Sequence, residues 1–380
     1  MEPRRQGQQP RRRRHQAMSG NRPSVTAAAV VLAAATLTLQ AQQGRSAGLA
    51  QSSGADLRII PIRGNVYVIS GAGGNITASI GKDGVMLVDS GAPSMTDAVL
   101  SAVRALDRQV TASGMPQRSC VGIVQGCTWW NSSNLLPTTV GPPAPRPIAG
   151  IINTSVDADH IGGNEKIAAA GRTFGVRNLA NAPLGAWIVA HENVTARLSP
   201  AGEPKVPAGA LPDETYFGDE KKLNFFNGEG IVITHVEAAH TDGDSMVYFR
   251  GSDVIAAGDV FNLADYPVID TKNGGSINGI IAAANKLLDM IVWEHMMEGG
   301  TMVVPGHGRL GDVADVAYYR DMVTILRDRV LAMKKKGMTL VQIKGAHPSK
   351  DYDPRFGRNP QWTPEMFVEA IYNTLGAAGR

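Results

Sequence analysis

The sequence predicts a mixed α/β protein. Short β-prone runs bounded by Gly-marked turns recur from residue 57 onward, and between them stand stretches whose apolar residues follow helical spacing. A third observation concerns chemistry. Four β-rich runs are each followed by Asp or His at a Gly-marked turn: Asp157-Ala-Asp-His160, His240-Thr-Asp-Gly-Asp244, Gly258-Asp259 and Pro305-Gly-His307-Gly. Strand-end loops are where a rigid scaffold presents functional groups.

Taken in order, Leu57 to Ser70 alternates as two strands split by Gly64-Asn65. Gly71–Asn75 reads as a Gly-rich turn; with no Lys-Ser/Thr after it, a phosphate loop is disfavoured. Ile76–Ile80 and Val85–Val88 form a hairpin around Lys82-Asp83-Gly84, closed by Asp89-Ser90-Gly91. Ser94–Leu106 has helical spacing through Met95, Val99, Val103 and Leu106. Residues 111–147 break the rhythm and read as an insertion near the mouth of the site. Its Trp129-Trp130 pair either lines a pocket or packs within a long loop. Cys120 and Cys127 either close a small disulfide loop or stand unpaired, and neither has metal-site spacing to the His/Asp groups.

Ile148–Ile152 is the strand before the central motif, and Asn164–Ala170 starts a helix after it. Val176–Val189 mixes a short strand with a helix, and Pro200–Pro212 is a loop. Thr215–Phe217, Lys222–Phe226 and Ile231–Val236 read as strands, the last delivering His240. Ser245–Phe249 and Val254–Ala257 pair as a hairpin that delivers Asp259, followed by a loop over Phe261–Pro267. Ile277–Ile291 is a helix, Thr301–Val304 a strand delivering His307, and Val313–Lys336 a long amphipathic helix whose Lys334–Lys336 end suits a helix C-terminus. A last helix falls near Pro364–Leu375.

The chain has 380 residues, 43% hydrophobic and 19% charged, with net charge +3. The charge is uneven. Residues 1–41 hold seven Arg and one acid, Glu2, which leaves 30 Lys/Arg against 33 Asp/Glu in the remainder. A near-neutral body gives no case for nucleic-acid binding by the folded part. After the arginines, Val25–Leu39 supplies about fifteen apolar or small residues, short for a membrane span. Basic, apolar, small is the order of a secretory signal peptide, with a small residue at Ala41. A start at Met18 would give it a shorter basic region. The expected organisation is a leader over 1–41, a polar linker over 42–54, a main domain over 55–330 and a helical extension over 331–380. The expected protein is exported, to the periplasm or beyond, with no stable membrane anchor after cleavage; nothing in the sequence specifies its oligomeric state.

Asp159-His160 between a strand and a helix has two readings, a turn with capping carboxylates or a metal site. The three later stretches favour the second. The order Asp-His, His, Asp, His over roughly Ile59 to Val330 resembles the metallo-β-lactamase superfamily, whose signature is His-x-His-x-Asp-His, then a His in a Gly-Asp context, an Asp and a final Gly-His. Two positions depart from it: Ser155 stands where the first His belongs and Asp157 where the second belongs. The resemblance implies an αββα sandwich, two mixed sheets face to face with helices outside and metals at one edge. It makes Asp89 structural, beneath the metal site, and His191 a structural or rim residue rather than a ligand.

Carried over residue by residue, the second metal site is intact as Asp159, His160 and His307. Two imidazoles and a carboxylate suit Zn²⁺ and leave an open position. The first site keeps His240, with Asp157 replacing a His; Asp259 is the bridging carboxylate, in a spacing similar to glyoxalase II and flavodiiron proteins. Asp157 is a harder ligand and shifts preference toward Fe or Mn. Thr154, Asp242 and Asp244 are candidates to fix the imidazoles, or else turn caps. The implied activity is hydrolysis of a small ester, lactone, thioester or lactam by metal-bound hydroxide, with Asp159 as catalytic residue and one or two ions as cofactor. The alternative is a non-catalytic binding protein of the same fold with a degenerate first site.

Overall fold

The computed structural model describes residues 57–114, 146–172, 185–200, 205–291 and 300–376, all within one compact unit over 52–380. The expected leader and linker, Cys120, Cys127, Trp129, Trp130 and most of the expected insertion lie outside the described residues. Among the described residues, no helix is long and apolar enough to cross a membrane.

Two mixed sheets form the centre. The first runs in sequence order through β1 (Arg58–Arg63), β2 (Val66–Ala72), β3 (Gly74–Gly81), β4 (Gly84–Val88), β5 (Ile148–Ile152), β6 (Trp187–His191) and β7 (Glu214–Tyr216). Pairing is antiparallel as far as β4 and parallel from β4 to β7. The second sheet comprises β8 (Glu220–Lys222), β9 (Ile231–His235), β10 (Ser245–Phe249), β11 (Val254–Asn262) and β12 (Met302–His307), in the order β12-β11-β10-β9-β8. Only its β11–β12 pair is parallel.

Strand alternation sorts side chains between three cores, since successive residues point to opposite faces. Val66, Val68, Met86 and Val88 of the first sheet meet Val247, Phe249, Val254 and Ala256 of the second in the inter-sheet layer. The intervening Ile69, Val85 and Leu87 face outward, onto Val99, Val103 and Leu106 of α1 (Thr96–Gly114). Met246, Ile255 and Ala257 face the other way, onto Ile280 and Leu287 of α5 (Ile277–Met290) and Tyr319, Val323 and Leu326 of α6 (Val313–Lys335). The result is the αββα sandwich. Between α1 and α5 the described residues form three short α-helices: α2 (Ala158–Ile161), α3 (Asn164–Ala169) and α4 (Glu192–Leu198).

Three local differences from the sequence expectation have physical causes. The strand expected over Lys222–Phe226 ends at Lys222; the chain then closes on Asn227-Gly228, both with positive φ, and Phe226 pairs back to Glu229. Asn-Gly is the favoured pair for such a mirror-image turn. The strand expected to stop at Ala257 continues to Asn262, with its register broken at Gly258. The boundary expected at 330 falls inside α6, and the helices beyond it, α7 (Leu340–Gly345), α8 (Asp353–Phe356) and α9 (Pro364–Thr374), bury Ile343, Phe356, Phe367 and Ile371 in the same core as β11 and α5.

Candidate metal centre

The parallel pairs β4–β5 and β11–β12 decide where the chemistry falls. Their strands end together, and each end carries a polar residue: Asp89 after β4, the Asn153–His160 segment after β5, Asp259 within β11 and His307 closing β12. The turn after β9 adds His240. Two groups of potential ligand atoms result, Asp159 with His160 and His307, and Asp157 with His240 and Asp259. Within each group the ligand atoms lie no more than 4.8 Å apart. All six residues proposed from the sequence therefore meet in one place.

Asp259 is the link between the groups. Its Oδ2 lies 3.1 Å from His160 Nε2 and 3.7 Å from His240 Nε2, and its Oδ1 lies 3.5 Å from His307 Nε2. The irregular register at Gly258 creates this placement. Gly258 has φ +55, and a Cβ there would come 2.7 Å from Thr154 Oγ1. Only glycine takes that conformation without strain while letting β11 approach the β5 loop so closely.

Two of the three imidazoles are held from behind. His160 Nδ1 lies 2.7 Å from Asp89 Oδ2, and Asp89 also accepts from Thr154 N at 2.8 Å and Thr154 Oγ1 at 2.6 Å. Asp89 itself is buried, with φ 67, a left-handed conformation that Asp tolerates better than most residues. His240 Nδ1 lies 3.0 Å from the carbonyl oxygen of Val268. With both Nδ1 atoms engaged, both Nε2 atoms face the cluster, an arrangement typical of ligating histidines. The His307 loop is fastened by Asn75, whose Nδ2 donates to Pro305 O and Gly308 O, each at 3.0 Å.

Asp157 bears on the two readings of the motif. It is the N-cap residue of α2, where an Asp ordinarily caps, yet its side chain makes no capping bond. Its Oδ2 instead lies 2.8 Å from His240 Nε2. Ser155 is fully buried and accepts the Asp157 N–H at 3.2 Å, so its hydroxyl orients Asp157's backbone. Of the two readings of Asp242 and Asp244, the one without imidazole contact holds for the side chains: Asp242 pairs with Arg197, and Asp244 accepts from Thr241 N and Oγ1; neither carboxylate is bonded to an imidazole, because both satisfy their own turn and its neighbours. Thr154 acts on His160 through Asp89. His191 is buried and stacks on His235 at 3.6 Å, apart from the ligand groups.

The electrostatics describe a centre that demands positive charge. Burial disfavours an imidazolium at His160, yet Asp259 and Asp89 raise its pKa well above the ordinary value. Burial likewise opposes His240, but the Asp157 hydrogen bond and the Asp259 charge raise it to about 10. His307 is raised against burial by Asp159 and Asp259. Asp159 is lowered by its His307 hydrogen bond. For Asp259, burial pushes upward, but the three imidazoles hold the carboxyl far below its ordinary range. Two buried atoms in this cluster, His160 Nε2 and Asp259 Oδ1, lack a hydrogen-bond partner. Buried polar atoms normally have one, and a cation placed among them would satisfy both. The residues present therefore fit the metal centre that the motif implies.

Sequence reasoning missed Val268, whose role is a backbone carbonyl invisible in residue type, and Asn75. The Asn75 signal was an Asn inside a Gly-rich stretch otherwise read as a turn.

Residues 143–309 match the family model of the metallo-beta-lactamase superfamily, a range that contains all six cluster residues. The chain carries a metallo-beta-lactamase superfamily domain. Among solved structures it is similar to a double mutant of the sec-alkyl sulfatase PisA1, at 13% identity and TM-score 0.53, over 85% of this chain and 51% of that one. The stereoselective inverting sec-alkylsulfatase Pisa1 from Pseudomonas sp. gives 14% identity and TM-score 0.51, over 83% and 50%. The chain thus spans about half the length of these sulfatases. A metallo-beta-lactamase from Pontibacter korlensis is similar at 16% identity and TM-score 0.45, over 71% of this chain and 99% of that one. A search of curated proteins gives no match.

Proposed function

We propose that the protein is a metal-dependent hydrolase acting on a small ester, lactone, thioester or lactam. The observation that carries this reading is the convergence of three imidazoles and three carboxylates from four separate chain segments, with two buried atoms left without partners. Asp159, His160 and His307 would hold Zn²⁺, whose preferred donors they supply. Bound there, the ion would act as a Lewis acid and lower the pKa of water toward neutrality.

The chain's own residues do the rest. Asp89 holds His160 in one tautomer, and the Val268 carbonyl does the same for His240. Asp157, Asp159 and His307 are the accessible members of the cluster, with side-chain exposures of 35%, 35% and 32%. Substrate and water therefore meet the centre on their side. The Asp159 carboxylate would orient the attacking water. Asp157 restores a third donor beside His240 and Asp259, which favours catalysis over a binding protein with a decayed site.

The basic, apolar, small order of residues 1–41 supports export of the mature chain to the periplasm. N-terminal sequencing of the protein recovered from a periplasmic extract tests this, with a start near Gln42 expected. For the activity, the purified protein is assayed against a panel of lactones, thioesters, esters and lactams, before and after treatment with a chelator. Hydrolysis of one class, abolished by the chelator and by His160→Ala and His307→Ala, is expected. Inertness of the metal-loaded protein toward all four classes would reject the reading.

A further inference from the structure

The two halves of the cluster differ in donor chemistry. Asp159, His160 and His307 offer two imidazoles and one carboxylate, whereas Asp157, His240 and Asp259 offer one imidazole and two carboxylates. The difference is built into the fold. Ser155 has turned its hydroxyl onto the Asp157 backbone, so no donor replaces an imidazole at that position. Asp157 has given up its helix-capping bond to place its carboxylate beside His240. Asp259, buried between the groups, faces both.

Carboxylate oxygen suits hard cations such as Mn²⁺, and imidazole nitrogen suits Zn²⁺. Asp259 is shared, so two carboxylates can neutralise a dication at either pocket. What separates them is the second imidazole, present at the Asp159 pocket and absent at the Asp157 pocket. We propose that the Asp157–His240–Asp259 pocket is a hard-cation site and the Asp159–His160–His307 pocket a zinc site, so that one chain carries two unlike metals. The proposal rests on the metal-centre part of the hydrolase reading and specifies how each half of that centre is used.

Zn²⁺ binds most mixed-donor sites more tightly than Mn²⁺, so the readout is a change in preference. Metal-stripped full-length chain is given one equivalent of Zn²⁺ and then titrated with Mn²⁺, with free Mn²⁺ counted by its solution EPR signal. Separate titrations with Zn²⁺ give the second constant needed for a preference ratio. The wild-type chain is expected to hold one Mn²⁺ beside its retained Zn²⁺. Asp157→His is expected to shift the ratio toward zinc by about tenfold or more, because it restores an imidazole. Asp157→Ala should hold no Mn²⁺.

A ratio unchanged by Asp157→His overturns the proposal. Should that variant fail to fold, the ratio is compared between the two pockets of the wild-type chain, and equal ratios overturn it as well. Activity is not read in this experiment. A chain that takes two zinc ions with equal preference loses the proposal and keeps the hydrolase reading. A selective chain inert toward every ester-type substrate keeps the proposal and loses that reading.

Discussion

Asp157 and His240, 83 residues apart in sequence, meet through a 2.8 Å contact between Asp157 Oδ2 and His240 Nε2. A residue at a helix N-cap would normally spend its carboxylate on the helix. Its engagement across the two sheets makes Asp157 part of the cluster. Asp157→Asn keeps the shape and removes the charge, so we predict that the variant folds and that its metal content falls from two equivalents to one. Elemental analysis after gel filtration checks this; two retained equivalents would remove Asp157 from the ligand set.

Asp89 anchors the other side. It accepts three hydrogen bonds, from Thr154 N, Thr154 Oγ1 and His160 Nδ1, while buried and in a left-handed conformation. Asp89→Ala would leave those groups unpaired and place a less tolerant residue at positive φ. The expected loss is about 3–5 kcal/mol of stability, the scale for breaking a buried, hydrogen-bonded ionic contact. Zinc affinity should fall by roughly 10- to 100-fold, since Asp89 acts on His160 from outside the ligand set. Urea unfolding and competition with a chromophoric chelator measure the two effects.

The individual strands were legible as short β-prone runs, and Gly-marked turns marked the ends where Asp and His gather; the sandwich itself followed from the family resemblance carried by the Asp and His order, because the apolar runs of β4 and β11 do not say which sheet face each residue takes. The candidate ligands were legible because their side-chain types are few and their order matched a family motif. Three things were not legible. The irregular register at Gly258 depends on how closely Thr154 of another sheet approaches. The support of His240 is a backbone carbonyl, for which any residue type would serve. The fate of Asp242 and Asp244 turned on competition: a carboxylate beside a histidine in sequence can satisfy either an imidazole or its own turn, and here the local partners won.

Gly306 gives a steric test of the bridging position. A Cβ at this residue would lie 2.1 Å from Asp259 Oδ1 and 2.9 Å from the Gly258 carbonyl carbon. Neither atom can yield without moving β11 or rotating the Asp259 carboxylate away from His160 and His307. Gly306→Ala is therefore predicted to reduce hydrolysis by about 100-fold or more, the scale for misplacing a reacting group by about 1 Å. Circular dichroism should remain native in shape. Activity within twofold of wild type would show that the Asp259 position is not required.

The stacked pair His191 and His235 predicts a pH dependence separate from the metal centre. Their rings lie 3.6 Å apart and 6° from parallel, with Tyr216 against His191 at 5.1 Å. Asn193 N donates to His191 Nδ1 at 3.4 Å, so that nitrogen must stay unprotonated to accept. Burial, and then the charge of His235, push His191 down to about 4, with Asp242 opposing. His235 is lowered by burial and by Lys286, against its bond to the Asp244 carbonyl and the charges of Glu237 and Asp219. A histidine depressed on folding binds its proton more readily in the unfolded chain. Its contribution is intact above the unfolded value near 6.5 and is lost as pH falls toward the folded value. Between pH 7.5 and 4.5 the wild-type chain should therefore lose about 2 kcal/mol more stability than His191→Phe, which keeps a ring in the stack and has no proton to gain. Other carboxylates titrate in this range in both chains, so the difference between the two urea-unfolding series isolates the pair. Equal losses in the two chains would mean that His191 takes up its proton in the folded state without cost.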